Sequence, residues 1–574
     1  MTPFIYPLFL TLPNILAFLS FILISLGSTI AWIDLNILIE WSLMPIYATP
    51  LKINLILDSV GLTYRSIVLF ISSNVLRFSK FYIKDDPFIN RFTILVLLFV
   101  LSINLLIFIP HFIALLLGWD GLGITSFILV IYYQSPKSLG AGIITALTNR
   151  IGDVIILISI ALSLDQGHWN IIHIWTTPNI PFQIIFITIA ACTKRAQIPF
   201  SRWLPAAIAA PTPVSALVHS STLVTGGVFL LIRFFPFLDI FWLFKPLILF
   251  IGVSTTIIAG IGATTECDIK KIIALSTLSQ LGVIITALGL GLPNLATFHI
   301  ITHALFKALL FICAGEIIAN HHHAQELRWI GNLINIAPIA STCILTANSA
   351  LCGIPFMAGF YSKDLILESI ITSRFNIIIT CLAIFAVTLT SFYSIRFSLI
   401  IVWGPRTHFP SRTLNEPWSC VTPILTISVT SVLGGSTMFW IIPEIYIVSP
   451  FSPILKIIPL RIITLGIVRR LYLCKNWSSS SILKTLHILN FASCIIWFLT
   501  PVSSQIQLVT PIYIGHHFLK SVDHSWLELA RGQGINKYNS MLRTQTLISG
   551  PKSPTHNLLI LSRIIITFIF LISC

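Results

Sequence analysis

Residues Thr193 to Gly227 read TKRAQIPFSRWLPAAIAAPTPVSALVHSSTLVTGG. Lys194 and Arg195 open the stretch, Pro199, Pro205, Pro211 and Pro213 interrupt it, and His219 lies near its end. Apolar sequence flanks it on both sides, so charge and broken helix occur together at bilayer depth. A charge there survives mainly when it faces a bundle interior or a water-filled path. Backbone groups freed by proline must likewise be satisfied inside protein or along a cavity. The combination implies an ion or proton pathway.

Composition agrees. Of 574 residues, 56% are hydrophobic and only 9% are charged, with a mean hydropathy of +0.94. Soluble domains carry about 25% charged residues. A spanning helix needs about 20 apolar residues, and roughly fifteen candidate spans meet that criterion. They lack the short alternating segments of an outer-membrane barrel. The expected fold is all-α and polytopic, with about 15–16 transmembrane helices. Met1 leads almost directly into the apolar run Ile15 to Leu26, without a basic region or a small-residue cleavage site. This argues against a cleaved signal or Arg-rich transit peptide and favours synthesis in the compartment where the chain works.

The ten cysteines form no C-x-x-C and no C-x-x-C-H, which argues for packing rather than cluster or haem ligation. No phosphate loop occurs, and Gly121-Leu122-Gly123 lacks the third glycine of a dinucleotide fingerprint. Any redox chemistry is therefore expected in other chains. The formal charge of +15 is uneven: Lys456 to Arg563 holds twelve Lys and Arg against Asp523 and Glu528. Such a segment suits the negative side of a membrane and anionic head groups. The bulk hydrophobicity speaks against nucleic-acid binding.

Five regions follow along the chain. Residues 1–110 carry three N-terminal spans, and residues 111–404 form a dense core. Residues 405–510 add further spans, with apolar runs at Val421–Ile442, Ile457–Val468 and Ile482–Phe498. Residues 511–549 read as an amphipathic helix lying along a surface, because Ile514, Phe518, Val522, Trp526 and Leu529 recur at helical spacing. Gly532 and Gly534 are expected to bend or break it. Residues 550–574 hold an anchor span. Within the core, Lys194 precedes Ile198-Pro199-Phe200, and Gly353-Ile354-Pro355-Phe356 precedes Lys363. A broken span in each of two related halves points to a midplane site, although a shared tripeptide is thin support for a repeat.

Each ionisable group has a plainer reading beside the functional one. Asp120 lies in Trp119-Asp120-Gly121 within an apolar run; it is either functional or hydrogen-bonded to backbone that the glycines expose. For Lys194, moving a carboxylate towards or away from a buried lysine changes its proton affinity by roughly 1–4 kcal/mol. Carrying a proton against the membrane potential costs about 2.3 kcal/mol per 100 mV, so a carboxylate–lysine pair has the right magnitude to gate a pumped proton. The alternative is a lysine snorkelling to the interface beside Arg195 and Arg202, a reading that suits the two arginines better than Lys194. His299, His303 and Lys307 fall at i, i+4, i+8, a stripe of about 12 Å that suits a relay. Zinc is the alternative there, without an H-E-x-x-H glutamate to support it. His219 is a link between the halves. Lys363-Asp364 could pair locally, and Asp153 could pair with Arg150 three residues away. The triplet His321-His322-His323 is expected in solvent.

TKRAQIPFSRWLPAAIAAPTPVSALVHSSTLVTGG, WDGLG (Trp119 to Gly123), NRIGD (Asn149 to Asp153), FHIITHALFKALLF (Phe298 to Phe311) and GFYSKD (Gly359 to Asp364) occur in that order. The series resembles the antiporter-like subunits of respiratory complex I, most closely the subunit 5 family of NADH dehydrogenase in its mitochondrial form. The resemblance covers most of the chain, including the C-terminal amphipathic segment and last span. It implies two inverted five-helix repeats, each with a discontinuous helix, a lateral helix and an anchor helix. It implies proton pumping coupled to electron transfer from NADH to ubiquinone, with NADH, FMN, iron–sulfur clusters and ubiquinone in other subunits and no cofactor or metal in this chain. It further implies the mitochondrial inner membrane, neighbouring membrane-arm subunits (an antiporter-like one above all) and anionic lipid such as cardiolipin. Carried over by motif, Asp120 stands for the gating glutamate and Lys194 for the first channel lysine. His219, His299 and His303 match the relay, Lys307 the central lysine, Lys363 the exit lysine, and Asp153 a family carboxylate. Asp120 is one methylene shorter than the usual Glu, and Arg195 stands where a small residue is common. The rival readings are the large subunit of a multi-subunit cation/proton antiporter and a non-pumping membrane scaffold.

Overall fold

The structure is a computed structural model that describes residues 5–46, 49–84, 86–164, 169, 180–321, 323–373, 376–405, 416–441, 453–475, 491–493, 506–549 and 554–572. The chain divides into two compact units, Met1–Thr500 and Pro501–Cys574.

The first unit is almost entirely helical. Its helices are α1 (Ile5–Ile33), α2 (Ser59–Tyr82), α3 (Ile89–Phe108), α4 (Phe112–Val130), α5 (Pro136–Leu164), α6 (Ile180–Lys194), α7 (Thr212–Arg233) and α8 (Phe244–Thr265). There follow α9 (Ile269–Gly289), α10 (Pro293–Asn320), α11 (Pro338–Cys352), α12 (Ala358–Thr372), α13 (Ile377–Trp403), α14 (Trp418–Ile441) and α15 (Pro453–Lys475). Among the described residues of the whole chain, eleven helices are long and apolar enough to cross a membrane, and three shorter apolar helices accompany them. Hydropathy counted more spans. The run Ile482–Phe498 falls outside the described residues apart from 491–493.

One element departs from the all-helical expectation. Strands β1 (Ile37–Ile46) and β2 (Thr49–Leu57) pair antiparallel between α1 and α2, with Ile37 opposite Leu57 and a bulge between Ser42 and Met44. The segment is rich in Ile and Leu and carries Trp41, side chains that suit a pleated strand, and Pro45 and Pro50 oppose each other near its end. The hairpin leads directly into Asp58, which caps α2 by accepting the Gly61 N–H at 3.2 Å. The same carboxylate receives both terminal nitrogens of Arg233 at 2.7 and 2.8 Å. This bidentate pair ties the start of α2 to the end of α7.

Helices α9 and α10 lie at the centre, fully buried along their apolar windows. Helix α10 packs against α2, α7, α9, α11, α12 and α14. A helix that is apolar nearly all round needs such a jacket, and any polar residue on α10 is thereby enclosed by protein. Both expected interruptions occur. After Lys194 the chain leaves the helix, with Ala196 at φ +55° and a cis peptide bond at Ile198–Pro199, and regains regular helix only through short pieces around Trp203 and Thr212. After Cys352, Gly353 takes φ +84° as the left-handed cap of α11, and helix resumes at Ala358.

The second unit contains Ile506–Phe518, Leu519–Leu527, Glu528–Arg531, Gln533–Ser549 and Pro554–Ile572, all helical. Gly532 interrupts the helix, as expected, whereas Gly534 sits inside the following one. Ile514, Phe518, Val522, Trp526 and Leu529 are all exposed.

Candidate functional site

The first break builds a cation seat. Lys194 is the last residue of α6 and is fully buried; its Nζ donates to the Trp119 carbonyl at 2.6 Å and lies 3.8 Å from the Trp119 ring centroid. Two acids stand in electrostatic range, Asp153 with the larger influence and Asp120 with the smaller. Neither forms an ion pair with Lys194 within 4 Å. Instead Arg150 reaches both, at 3.7 Å to Asp120 and 3.4 Å to Asp153. Asp120, Asn149, Arg150 and Asp153 line a cavity of about 190 Å³ together with Gly123 and Phe127. Trp119 rather than an acid touches the lysine, and of the two acids Asp153 acts on it more strongly than Asp120.

Arg195 corrects the snorkelling alternative. It is as buried as Lys194, with Nε donating to Ala191 O at 3.2 Å, one terminal nitrogen 3.6 Å from Cys192 Sγ and the other without a partner. Gly227 makes room for it, since a Cβ there would stand 2.8 Å from Arg195 Cγ. Trp203 closes the break by donating its indole N–H to Thr193 O at 2.9 Å, and its ring lies 6.3 Å from that of His219.

His219 sits in a π-helical turn, Val218–Thr222, within α7. That turn packs against α10. The Ala207 backbone is the hydrogen-bonding group beside its ring. On α10 the expected stripe is present and enclosed: His299, His303 and Lys307 are all buried. The two imidazoles lie 6.4 Å apart. His299 Nδ1 meets Ser362 Oγ at 2.8 Å, and both nitrogens of His303 are unpartnered. Lys307 Nζ donates to Ser276 Oγ at 2.5 Å.

At the second break Lys363 turns inward. Its Nζ donates to Thr390 Oγ1 at 2.7 Å and to the carbonyls of Leu351 and Cys352 at 3.3 and 3.5 Å. Those carbonyls are freed by the end of α11. Asp364 does not pair with it; Glu368 and Lys456 are its charged neighbours.

Sequence reasoning missed the neutral groups between these charges. Ser279 Oγ and Tyr393 OH meet at 3.0 Å, joining α9 to α13 one turn from Thr390, and Gln280 is buried beside them with its amide in reach of the same hydroxyl. The signal was Ser276-Thr277-Leu278-Ser279-Gln280, a polar run in a wholly buried helix. Lys270 was also overlooked: it is buried and donates to Ala210 O at 3.3 Å. His321, expected in solvent, is buried, while His323 is exposed, its ring 6.4 Å from that of Tyr82. Among the described residues no group of three or more His, Cys, Asp or Glu is arranged to hold a metal ion.

A bundle with a buried lysine at each of two helix breaks and a His–Lys helix between them defines an antiporter-like membrane protein. Residues 110–390 match the family described as NADH:quinone oxidoreductase/Mrp antiporter, transmembrane, and residues 393–573 match the C-terminus of NADH dehydrogenase subunit 5. The chain is 52% identical to NADH-ubiquinone oxidoreductase chain 5 of Lumbricus terrestris, over 92% of this chain and 93% of that one. It is 44% identical to the Locusta migratoria protein of the same name, over 87% and 88%, and 38% identical to that of Mytilus edulis, over 84% and 85%. In fold it is similar to the solved Mrp complex from a Dietzia species, with a TM-score of 0.72 and 24% identity, over 92% of this chain and 62% of that one. The chain belongs to the NADH-ubiquinone oxidoreductase chain 5 family.

Proposed function

We propose that this chain is a proton-translocating membrane subunit of NADH:ubiquinone oxidoreductase, residing in the mitochondrial inner membrane beside other membrane-arm subunits. The observation that carries the reading is the burial of Lys194, His219, His299, His303, Lys307 and Lys363 inside one apolar bundle. Unpaired cations there are costly, and proton exchange gives each a neutral state in which the cost disappears. Asp120 and Asp153 act on Lys194 through the Arg150 cluster. A proton enters near that cavity and passes by His219 to the His299–His303–Lys307 helix. The hydroxyls of Ser276, Ser279, Tyr393 and Thr390 support its transfer to Lys363, from which it leaves. The ring nitrogens of His303, buried without a protein partner, suit bridging water. The two breaks fit a pair of inverted repeats, with residues 111–404 as the pumping core.

Electron transfer belongs to other subunits, and this chain contributes no redox centre. The exposed apolar side chains from Ile514 to Leu529 suit a lateral helix resting on neighbouring subunits, with anionic lipid such as cardiolipin against the basic tail. NADH-driven acidification of vesicles containing the native assembly tests the reading: Lys307→Met should abolish translocation while the assembly remains intact. Translocation undiminished in that variant overturns the relay. Exchange of sodium for protons without NADH would favour the rival, a cation/proton antiporter.

A further inference from the structure

Helix α10 carries one acidic residue, and it points away from the relay. Glu316 lies nine positions beyond Lys307, about 14 Å along the helix and about half a turn around it. It is 1% exposed, and the hydrogen-bonding side chain beside its carboxyl is the Cys420 thiol, a weak donor. The titratable groups that face it are Cys313 on α10, Cys343 on α11, and Cys420 with Glu416 at the start of α14. None is a cation. These three helices pack mutually, so Glu316 is sealed in their seam.

Glu416 is held differently. It is half-buried, and its carboxylate receives the N–H groups of Ile339 and Ala340 at 3.4 and 3.1 Å. Those are orphan amides in the first turn of α11, where the helix dipole favours an anion. A charge on Glu316 is opposed by its burial and by the second carboxyl, with no cation in the seam to offset it. Glu416 is met by two backbone N–H groups, and Glu316 only by a thiol.

We propose that Glu316 is a proton-binding site, separate from the lysine and histidine relay, with the amide-held carboxyl of Glu416 as its neighbour. An arriving proton forms an O–H bond on a Glu316 carboxylate oxygen and leaves the neutral acid. On release the bonding pair stays with the carboxylate, and the charge so created needs a rearranged seam. The seam includes α11, whose last carbonyls, at Leu351 and Cys352, hold Lys363. Protonation of Glu316 is thereby linked to the seat of the second-break lysine. The inference rests on the chain turning over within the oxidoreductase, while the site itself does not depend on the relay.

The test uses the native assembly in its own membranes, treated with dicyclohexylcarbodiimide, an apolar reagent that adds to protonated carboxyls. Adducts on Glu316 and Glu416 are read by mass spectrometry at rest and during NADH oxidation. The expected result is an adduct on Glu316 and none on Glu416, with a Glu316 yield that changes severalfold on turnover. No Glu316 adduct, equal labelling of both residues, or a yield indifferent to turnover overturns the proposal. As a second arm, Glu316→Gln should remove one limb from the pH profile of protons pumped per electron, and Glu316→Asp should restore it. An unchanged profile in the Gln variant also overturns it. Because the labelling reads the two carboxyls and not the lysines and histidines, a failed relay and a failed Glu316 site give separate results.

Discussion

The two helix breaks solve one problem, seating a lysine inside an apolar bundle, by different means. At the first, Lys194 ends the helix before the break and rests on the Trp119 carbonyl and ring, with Asp153 and Asp120 in range. At the second, Lys363 follows the break and is held by Thr390 and two backbone carbonyls, with no acid beside it. A carboxylate that moves changes a lysine's proton affinity, whereas fixed dipoles set it at one level. We propose that the first seat, with acids in range, is switched directly by carboxylate movement, whereas the second, held by neutral dipoles, changes only with the helices that carry them.

The largest effect expected is loss of either cation. Lys194→Met and Lys363→Met should each cut proton translocation by at least about tenfold, equivalent to about 1.4 kcal/mol or more on the limiting barrier. The comparison adds a difference: Lys363→Met should be insensitive to substitutions at Asp120 and Asp153, and Lys194→Met should mask them completely. A double-mutant cycle on vesicle acidification checks this. Coupling of Lys363 to Asp153 as strong as that of Lys194 would end the distinction between the seats.

Next come the acids themselves. Asp153→Asn should slow pumping several-fold and Asp120→Asn by less, since Asp153 is the more buried and acts more strongly on Lys194. Both variants keep shape and hydrogen-bonding capacity, so the assembly should form normally. Equal effects, or a larger one from Asp120, would mean that Asp120 reaches Lys194 in another conformation of the bundle.

The charged members of the site were legible in the sequence because intramembrane charge has no cheap structural excuse. Lys194, Lys307 and Lys363 stand out against apolar neighbours, and proline and glycine mark both breaks. What stayed hidden was direction and partner. Trp119 reads as an ordinary core aromatic, yet its carbonyl receives Lys194. Ser276 and Thr390 read as small helix residues that bond their own backbone, and both do so while also accepting from a lysine. Arg195 resembled an interfacial cation because the space that buries it is created by Gly227, thirty-two positions away. The hairpin before α2 was missed for a related reason: a short apolar run has no period that separates strand from buried helix.

A backbone substitution distinguishes the breaks with a smaller effect. Gly353→Ala places a Cβ at φ +84°, where an L-residue costs about 1–2 kcal/mol, and should lower the thermal midpoint of the assembly. The first break already holds an alanine at φ +55°, Ala196. Ala196→Gly should be close to neutral, because relief of that strain is offset by the entropy glycine gains in the unfolded chain. Equal destabilisation by the two changes would mean that the left-handed residue is not what shapes the breaks.

The smallest effects are expected from the neutral partners, and they separate the seats most finely. Thr390→Val removes one of three acceptors from Lys363. A hydrogen bond to a charged group is worth about 1.5–3 kcal/mol, but the Leu351 and Cys352 carbonyls remain, so the expected loss is about 1 kcal/mol, roughly fivefold in translocation rate. Trp119→Phe leaves the carbonyl that Lys194 uses and replaces the indole by a weaker cation–π face, costing about 0.5–1 kcal/mol. The indole N–H has no hydrogen-bond partner to lose. Thr390→Val should therefore slow pumping more than Trp119→Phe, and only the Trp119 change should interact with Asp153→Asn. A Trp119→Phe enzyme as impaired as Lys194→Met would show that the indole itself gates the first seat, and the contrast between a switched and a fixed lysine would have to be redrawn around the ring.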